Sequence, residues 1–493
     1  MRKINLKAMN LPLSKIVYLL ILVCLSFQFN DTDIYYMIPT GRYIIEHGFP
    51  TINPFITTSG MNIVVQNWLY CYVIAVIYDH LHSVGLWLFT FTQLLLTSVV
   101  TFKFLRSNKY GNKHETLVNV FATTFIIMFS YTNARPEMLT YILIMAEIFV
   151  LERGMKENNY VWFYFIPFIT FIEANVHVSY WVMHIIVLIP YICKLTEKQG
   201  KQLFIPFLLS IQASVLTPYE SAGCAYAFNS LKSGVFKYIT VNELQSFALK
   251  EPKSLVFIAL TIFFAYLVYK KVLSETEILM YIGFSALFIM SPKWLAFYAL
   301  GCLYIFRAYL SSFAEDKEPI HINLGLVSNY CVILSCLIGV VTFYNVYDIN
   351  KLSTKTDTYM NESTKYTGFD TFADYLDVND PNASVYADFD YGNYFEFRGY
   401  KVHHDARPEL YSIEISGSDE VLKELVIASK GYNPLDPDYN FLTSEEYGEV
   451  IDNINVDYFA VYAKNMLYEY LDSHPDKYQL VVDNTFTKLY KRI

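Results

Sequence analysis

Asn30 to His47, NDTDIYYMIPTGRYIIEH, follows directly on the first hydrophobic run of the chain, and its reading decides how the later segments are placed. Asp31 and Asp33 flank a single threonine where the chain leaves that run. An amphipathic segment comes next, with Ile34, Met37, Ile38, Ile44 and Ile45 offering an apolar face and Arg42 and Glu46 a polar one. A paired acid held at a membrane surface by a helix lying in the interface suits chemistry on a lipid-linked substrate. The same residues also read as a solvated loop, in which Asp or Asn accepts hydrogen bonds from the first free amides of a helix. The remainder of the chain has to decide between the two.

Composition favours the membrane. Of the 493 residues, 54% are apolar and 17% aromatic, which points to an integral membrane protein. The net charge of −9 hides a division. Residues 1–360 carry 26 Lys and Arg against 21 Asp and Glu, a net +5, whereas residues 361–493 carry 11 against 25, a net −14. This divides the chain into a multispan membrane part over 1–349, a polar linker over 350–367 and an acidic, soluble part over 368–493. All seven cysteines precede residue 361 and none has a metal-type spacing, so they read as small apolar residues of helices. The basic N-terminus (Arg2, Lys3, Lys7) is followed by no A-x-A-like cleavage site before Asp31, so an uncleaved first span is expected.

Hydrophobic stretches and the positive-inside rule give a topology. The first span, 12–29, starts on the basic side, which puts the Asp31/Asp33 loop outside. Gln66–His82 has an apolar stretch too short to cross, and 84–102 runs into the basic KFLRSNKYGNK. Both fit if 66–82 is an interfacial or re-entrant helix within an outer loop, 30–83. Further spans are expected at 117–131, 137–151, 160–174, 177–193, 203–217, 254–270, 276–291, 294–311 and 323–345. The result is an α-helical polytopic membrane protein of about 11 spans, multi-pass in the cell membrane, with a cytoplasmic N-terminus and a small extracytoplasmic α/β domain at the C-terminus. The aromatic loop 218–251 suits a helix packed along the outer surface. In the C-terminal part, helical patterns cover Asp370–Leu376, Asp419–Ala428, Ser444–Ile454 and Asn465–Leu471. Strand-like runs cover Ser384–Asp388, Tyr400–His404, Tyr458–Tyr462, Gln479–Val482 and Phe486–Tyr490. It has no glycine-rich phosphate loop, which argues against a nucleotide site there.

Ionisable groups in or beside spans are costly, and function is their usual reason. Arg135-Pro136-Glu137, Glu173 with Asn175 and His177, Asn242-Glu243 and Lys293 all fall on the outer side of this topology, the side of Asp31 and Asp33. Arg135 reads equally as a snorkelling interface residue, Glu173 as a structural partner of Arg135 or Lys293, and His177 and His184 as satisfied helix histidines. Asp79-x-x-His82 and His403-His404-Asp405 have spacings that arise by chance. A lipid phosphate leaving group needs positive charge or a metal ion. Arg135 and Lys293 supply the former, while Asp31 and Asp33 could hold Mg²⁺ or Mn²⁺ through hard oxygen ligands. Either aspartate could instead serve as the base that accepts a hydroxyl proton.

These residues resemble a family. Asp31-Thr32-Asp33 with Tyr35-Tyr36, then Gly41 to Gly48, Pro50, Asn53-Pro54-Phe55 and Trp68-Leu69, are similar to the first outer loop of bacterial multispan membrane glycosyltransferases of the GT-C class. Arg135-Pro136, Asn175-x-His177, Thr217-Pro218-Tyr219 and Glu243-Leu244-Gln245-Ser246 extend the likeness, as does DFDYGNYFEFRGYKVHHDARPELY, Asp388 to Tyr411. The resemblance implies a polyprenyl-phosphate-linked sugar donor, an inverting transfer, and Asp31 or Asp33 at the reacting centre as base or metal ligand. It leads to an enzyme moving sugar to a glycan, lipid or protein acceptor of the cell envelope, with membrane lipid around it and no nucleic acid among its partners. Arg135, Lys293, Glu173, His177 and Glu243 are then expected around the substrate. Two departures are Gln66-Asn67, where relatives often have His-Glu, and Lys293-Trp294, where they often have Arg-Asn. A lipid-linked glycan transporter should show broken midplane helices and a repeat between halves, and the sequence has neither. A non-catalytic scaffold would tolerate loss of Asp33 and Arg135.

Overall fold

The computed structural model describes residues 32–106, 134–192, 198–239, 252–315 and 368–493 (390, 435, 437 and 439 excepted), with positions 19, 22, 23, 25 and 26 of the first hydrophobic run. Most of the span expected at 12–29, the spans at 117–131 and 323–345, the linker 350–367, Asp31 and Glu243 lie outside these residues.

The helical body comprises α1 (Ile34–His47), α2 (Trp68–Arg106), α3 (Glu137–Glu157), α4 (Phe165–Val176), α5 (Trp181–Ile192), α6 (Lys198–Ala213), α7 (Glu220–Lys232), α8 (Pro252–Tyr269), α9 (Glu275–Met290) and α10 (Leu295–Glu315). Their ends follow local chemistry. Ser274 and Glu277 form a reciprocal capping box that starts α9, and Asn158 stops α3 in the left-handed conformation. The α2 helix breaks at His82, whose φ is +49°, so the stretches read separately as 66–82 and 84–102 are two helices joined by a bend. Among the described residues, one helix, Trp68–Leu105, is long and apolar enough to cross a membrane. Tyr160–Val176, Val178–Ile192, Ser254–Tyr269 and Leu295–Tyr309 are apolar but shorter than the roughly 20 residues of a straight crossing.

The C-terminal unit is a five-stranded sheet in the order β2-β1-β3-β5-β4. Its strands are β1 (Ser384–Ala387), β2 (Lys401–Val402), β3 (Tyr458–Tyr462), β4 (Tyr478–Asp483) and β5 (Thr487–Arg492). β1 runs parallel to β2 and β3, while β5 is antiparallel to β3 and β4. Six helices accompany it among the described residues: α11 (Phe369–Asn379), α12 (Gly392–Phe397), α13 (Ile413–Ser416), α14 (Glu420–Lys430), α15 (Ser444–Asn453) and α16 (Met466–Ser473). Each helix and strand expected from the sequence is present within a few residues of its place. The short α12 and α13 carry too few residues to show a period and were not expected.

The unit is joined to the first loop by backbone. Val402 donates its amide to the Phe55 carbonyl and accepts from Thr57, both at 2.9 Å, so residues 55–57 lie along the outer edge of β2 as one more rung. Asn62 bonds the Ser416 carbonyl through both its amide and its side chain, at 3.0 and 3.2 Å. A single apolar core then runs from Ile34, Met37, Ile38, Tyr70 and Ile74 to Phe369, Val385, Phe395 and Val402. Edge-on ring contacts of Tyr35 with Tyr394 at 5.4 Å and of Tyr78 with Phe397 at 5.8 Å cross the joint.

Charge is buried in this joint. The Arg407 guanidinium donates to Asp405 Oδ2 at 2.5 and 3.1 Å and lies 4.2 Å from the Tyr36 ring centroid, a stacking contribution of about 0.5–2 kcal/mol. Glu396 Oε1 stands 3.8 Å from the same guanidinium, yet neither Glu396 oxygen has a hydrogen-bond partner among the described residues. Burial holds the Glu396 carboxyl well above the usual carboxylate range, against the pull of Arg407 and with the Asp405 charge reinforcing it.

Two outcomes follow for stability. A methyl group at Gly41 would sit 2.1 Å from the Cys71 carbonyl oxygen, where α1 crosses α2, whereas none of the neighbouring atoms lies within 4 Å at Gly283. Gly41→Ala should lower the thermal midpoint by the equivalent of about 1–3 kcal/mol, with Gly283→Ala unchanged. Equal midpoints would mean that α1 and α2 do not cross here. For Glu396, the unfolded chain releases the proton at lower pH than the folded one. Its stabilising contribution is therefore complete below the usual carboxylate range and declines as pH rises toward the folded value. Glu396→Gln keeps the shape and the neutral form, so its midpoint should be higher than wild type at neutral pH and flatter through the alkaline range. A wild-type profile no steeper than the variant's would contradict this.

Candidate active site

Asp33 occupies the position that precedes the first turn of α1 and makes no side-chain cap hydrogen bond to it. The ordinary use of an aspartate at this position is therefore not taken up. Its Oδ2 stands 3.5 Å from the Arg135 guanidinium, with the two side chains 28% and 13% exposed respectively. Arg135 reaches it from the bend just before α3, where Pro136 can enter the helix without an amide to satisfy. From the C-terminal unit, Asn393 donates its side-chain amide to the Thr32 carbonyl at 3.2 Å and accepts from the Ala406 amide at 2.8 Å. Arg407 stacks on Tyr36, one turn along α1 from Asp33. The Asp33 loop is thus held from both sides.

Next to Arg135 lies a small recess lined by Glu137, Tyr141, Tyr180, Lys293 and Phe297, with Met138 and Ala296 completing its wall. Lys293 stands in a 3-10 turn, Pro292–Trp294, between α9 and α10, and its ammonium is 5.9 Å from the Tyr180 ring centroid. His177, nearly buried at the end of α4, packs on the same ring at 4.4 Å. Arg135, Lys293 and His177 are all close enough to act on the Glu137 charge. From above, Glu409 accepts from the Tyr226 hydroxyl at 3.1 Å and feels the Lys293 charge. Cations from two distant stretches, Arg135 and Lys293, thus meet Glu137 from the first of them and Asp33 and Glu409 from two others.

Of the residues singled out in the sequence, Asp33, Arg135, Lys293 and His177 gather here, and Asp31 and Glu243 lie outside the described residues. Glu173 is a correction. It is fully buried, accepts from Thr140 at 2.7 Å and faces His184, so it is turned into the helical body and not toward Arg135 or Lys293. Gln66 and Asn67 also have structural tasks: Gln66 accepts from Ser179 at 2.5 Å, and Asn67 donates to the Tyr36 hydroxyl at 3.3 Å. Asn175 likewise ties Trp68 to the Leu216 carbonyl at 3.0 Å each. Sequence reasoning placed Glu137 on this side without giving it a role, and it missed Asn393, Arg407 and Glu409. The last three lie in the Asp388–Tyr411 run, whose motif was visible although its target was not.

Among the described residues, no three His, Cys, Asp or Glu side chains converge on a metal position. Asp31, which with Asp33 is the candidate ligand for Mg²⁺ or Mn²⁺, lies outside these residues, and no step is derived through a metal.

No protein-family profile and no curated protein sequence matches the chain. Solved structures do. The oligosaccharyltransferase of Archaeoglobus fulgidus, tethered to an acceptor peptide with an NVT sequon, superposes with a TM-score of 0.57 at 12% identity, over 92% of this chain and 69% of that one. The archaeal enzyme with an inhibitory peptide and a dolichol-phosphate gives 0.51 at 10% identity, over 92% and 69%. Its apo form gives 0.50 at 12%, over 91% and 69%. The chain has an oligosaccharyltransferase-like fold of the GT-C class.

Proposed function

We propose that this chain is an inverting glycosyltransferase of the cell membrane, moving a sugar from a polyprenyl-phosphate-linked donor to a cell-envelope acceptor on the outer face. The observation that carries this reading is the Asp33–Arg135 pair, with Asp33 withheld from capping α1 and Arg135 next to the recess that Lys293 lines. The fold likeness adds support, since the archaeal neighbour is solved with a dolichol-phosphate. The multi-pass placement draws support from large apolar side chains facing outward on successive helices, such as Phe168 at 59%, Leu255 at 71%, Ile262 at 66% and Met290 at 69% exposed.

In this reading Asp33 accepts the proton of the acceptor hydroxyl as its oxygen attacks the anomeric carbon. The new glycosidic bond forms as the bond to the lipid phosphate breaks on the opposite face, and that single displacement inverts the carbon. Arg135 and Lys293 meet the charge that gathers on the departing phosphate. The C-terminal unit fixes the Asp33 loop through Asn393 and brings Glu409 within reach of the Lys293 charge, on the side where the acceptor would enter.

Purified protein incubated with a panel of polyprenyl-phosphate sugars should release lipid phosphate with at least one of them. Asp33→Asn should cut that rate by roughly 100- to 10,000-fold, the usual worth of a general base, with an unchanged thermal midpoint. Retention of full turnover by Asp33→Asn, or release from none of the donors, would sink the proposal.

A further inference from the structure

Glu147, His184 and Glu173 lie in the interior of the helical body, and the chemistry above makes no use of them. They come from α3, α5 and α4 and are fully buried. His184 Nδ1 is 2.5 Å from Glu147 Oε2, and Nε2 is 3.4 Å from Glu173 Oε2. Thr140 occupies the other Glu173 oxygen. Within the trio, Glu147 Oε1 is the one polar side-chain atom without a hydrogen-bond partner among the described residues. The surroundings are apolar: Ile144, Ile148, Ile169, Met183, Val187 and Leu188.

Counting protons shows what this arrangement must hold. Each of the two contacts joins a ring nitrogen to a carboxyl oxygen, and each needs one proton between them. Two protons spread over two carboxylates and one imidazole leave a net negative charge, at a place where uncompensated charge is very costly. A third proton makes the trio neutral. Both Glu173 oxygens and both ring nitrogens are engaged, so the third proton belongs on Glu147 Oε1.

Polar groups continue on either side. Toward the recess, Thr140 is one turn of α3 from Glu137. In the other direction, Tyr191 on α5 is within electrostatic reach of Glu147, and its hydroxyl is 3.4 Å from that of Tyr304 on α10. The Tyr304 ring lies 5.1 Å from Arg307, which pairs with Glu152 at 2.7 Å and Glu277 at 3.6 Å. From Glu137 to Glu152 the line follows α3 for about 22 Å. Of the other elements packed here, α4 adds His177 at its end, while α2 between residues 83 and 102 and α6 beyond Lys201 bring no acid or base.

We propose that these side chains form a proton path through the helical body, with Glu147, His184 and Glu173 as its resident proton site. Glu173 passes a proton to Nε2, Nδ1 passes its own to Glu147 Oε2, and Glu147 releases the proton on Oε1 toward Tyr191. Glu173 is then reprotonated from the recess. Every group that gains a proton loses one, and no electrons move. The path rests on the membrane placement proposed above and not on sugar transfer, so its test contains no sugar.

The full chain in lipid, in a Glu396→Gln background that removes the other buried neutral carboxyl, should show an infrared band of a protonated carboxyl that shifts in heavy water. The band should vanish in Glu147→Gln and persist in Glu46→Gln, which alters an exposed glutamate of α1. In vesicles with a clamped membrane potential and an internal pH dye, wild type should pass protons faster than protein-free vesicles. Glu147→Gln and His184→Gln should fall to the protein-free rate, and the isosteric Glu147→Gln serves if the other variant does not fold. A missing band, a band that survives Glu147→Gln, or wild-type flux equal to that of either empty vesicles or Glu147→Gln overturns the inference. Donor turnover alongside absent flux would overturn the path alone and leave the transferase standing.

Discussion

The backbone pairing of Val402 with Phe55 and Thr57 is the constraint on which the candidate site depends. A loop as long as the one between α1 and α2 has many conformations, and fixing each residue costs about 1–2 kcal/mol. Side-chain contacts alone seldom repay that over a polar stretch. Extending a sheet edge does so with main-chain hydrogen bonds, and it also sets the register. Once residues 55–57 lie along β2, Asn62 meets Ser416 and α12 lies across α1. Asn393 then comes within reach of the Thr32 carbonyl, and Asp33, next in the chain, is left to face Arg135.

Burying charge at such a joint is expensive, and the structure offsets that cost by local pairing. Arg407 takes Asp405 from its own turn, two residues away, and spends its open face on the Tyr36 ring. Glu396, second to that guanidinium, has no hydrogen-bond donor among the described residues, and burial raises its carboxyl well above the usual carboxylate range. One cation with two nearby carboxyls resolves into one ion pair and one acid. The Glu147, His184 and Glu173 trio meets the same difficulty, since one imidazole must serve two acids.

Much of the architecture was legible in the sequence because it depends on local pattern. Apolar runs marked α3 to α6 and α8 to α10, and alternating or continuous apolar stretches marked the strands, since burial of one face imposes a period that neighbours cannot erase. The bend at His82 was legible as a gap between two unequal apolar runs. The site was only half legible. Asp33 and Arg135 stood out as charges in costly places, but whether Asp33 caps a helix or faces a partner turns on a side-chain rotation that spacing does not encode. Glu173 failed for a related reason. On a helix apolar all round, nothing in the sequence says which way a single glutamate points, and only packing against α5 turned it inward. Glu409 and Asn393 were hidden because their partners lie 183 and 361 residues away.

That distance has a consequence for how the protein is made. Thr32 and Asn393 are 361 residues apart, and Val402 comes late in synthesis. A growing chain emerges from its N-terminus at several residues per second, so the α1–α2 loop waits for tens of seconds before its partner strand exists. Throughout that interval the Asp33 loop has no frame, and a chain cut short anywhere before β2 never acquires one. The frame of the Asp33 loop is therefore completed only near the end of synthesis.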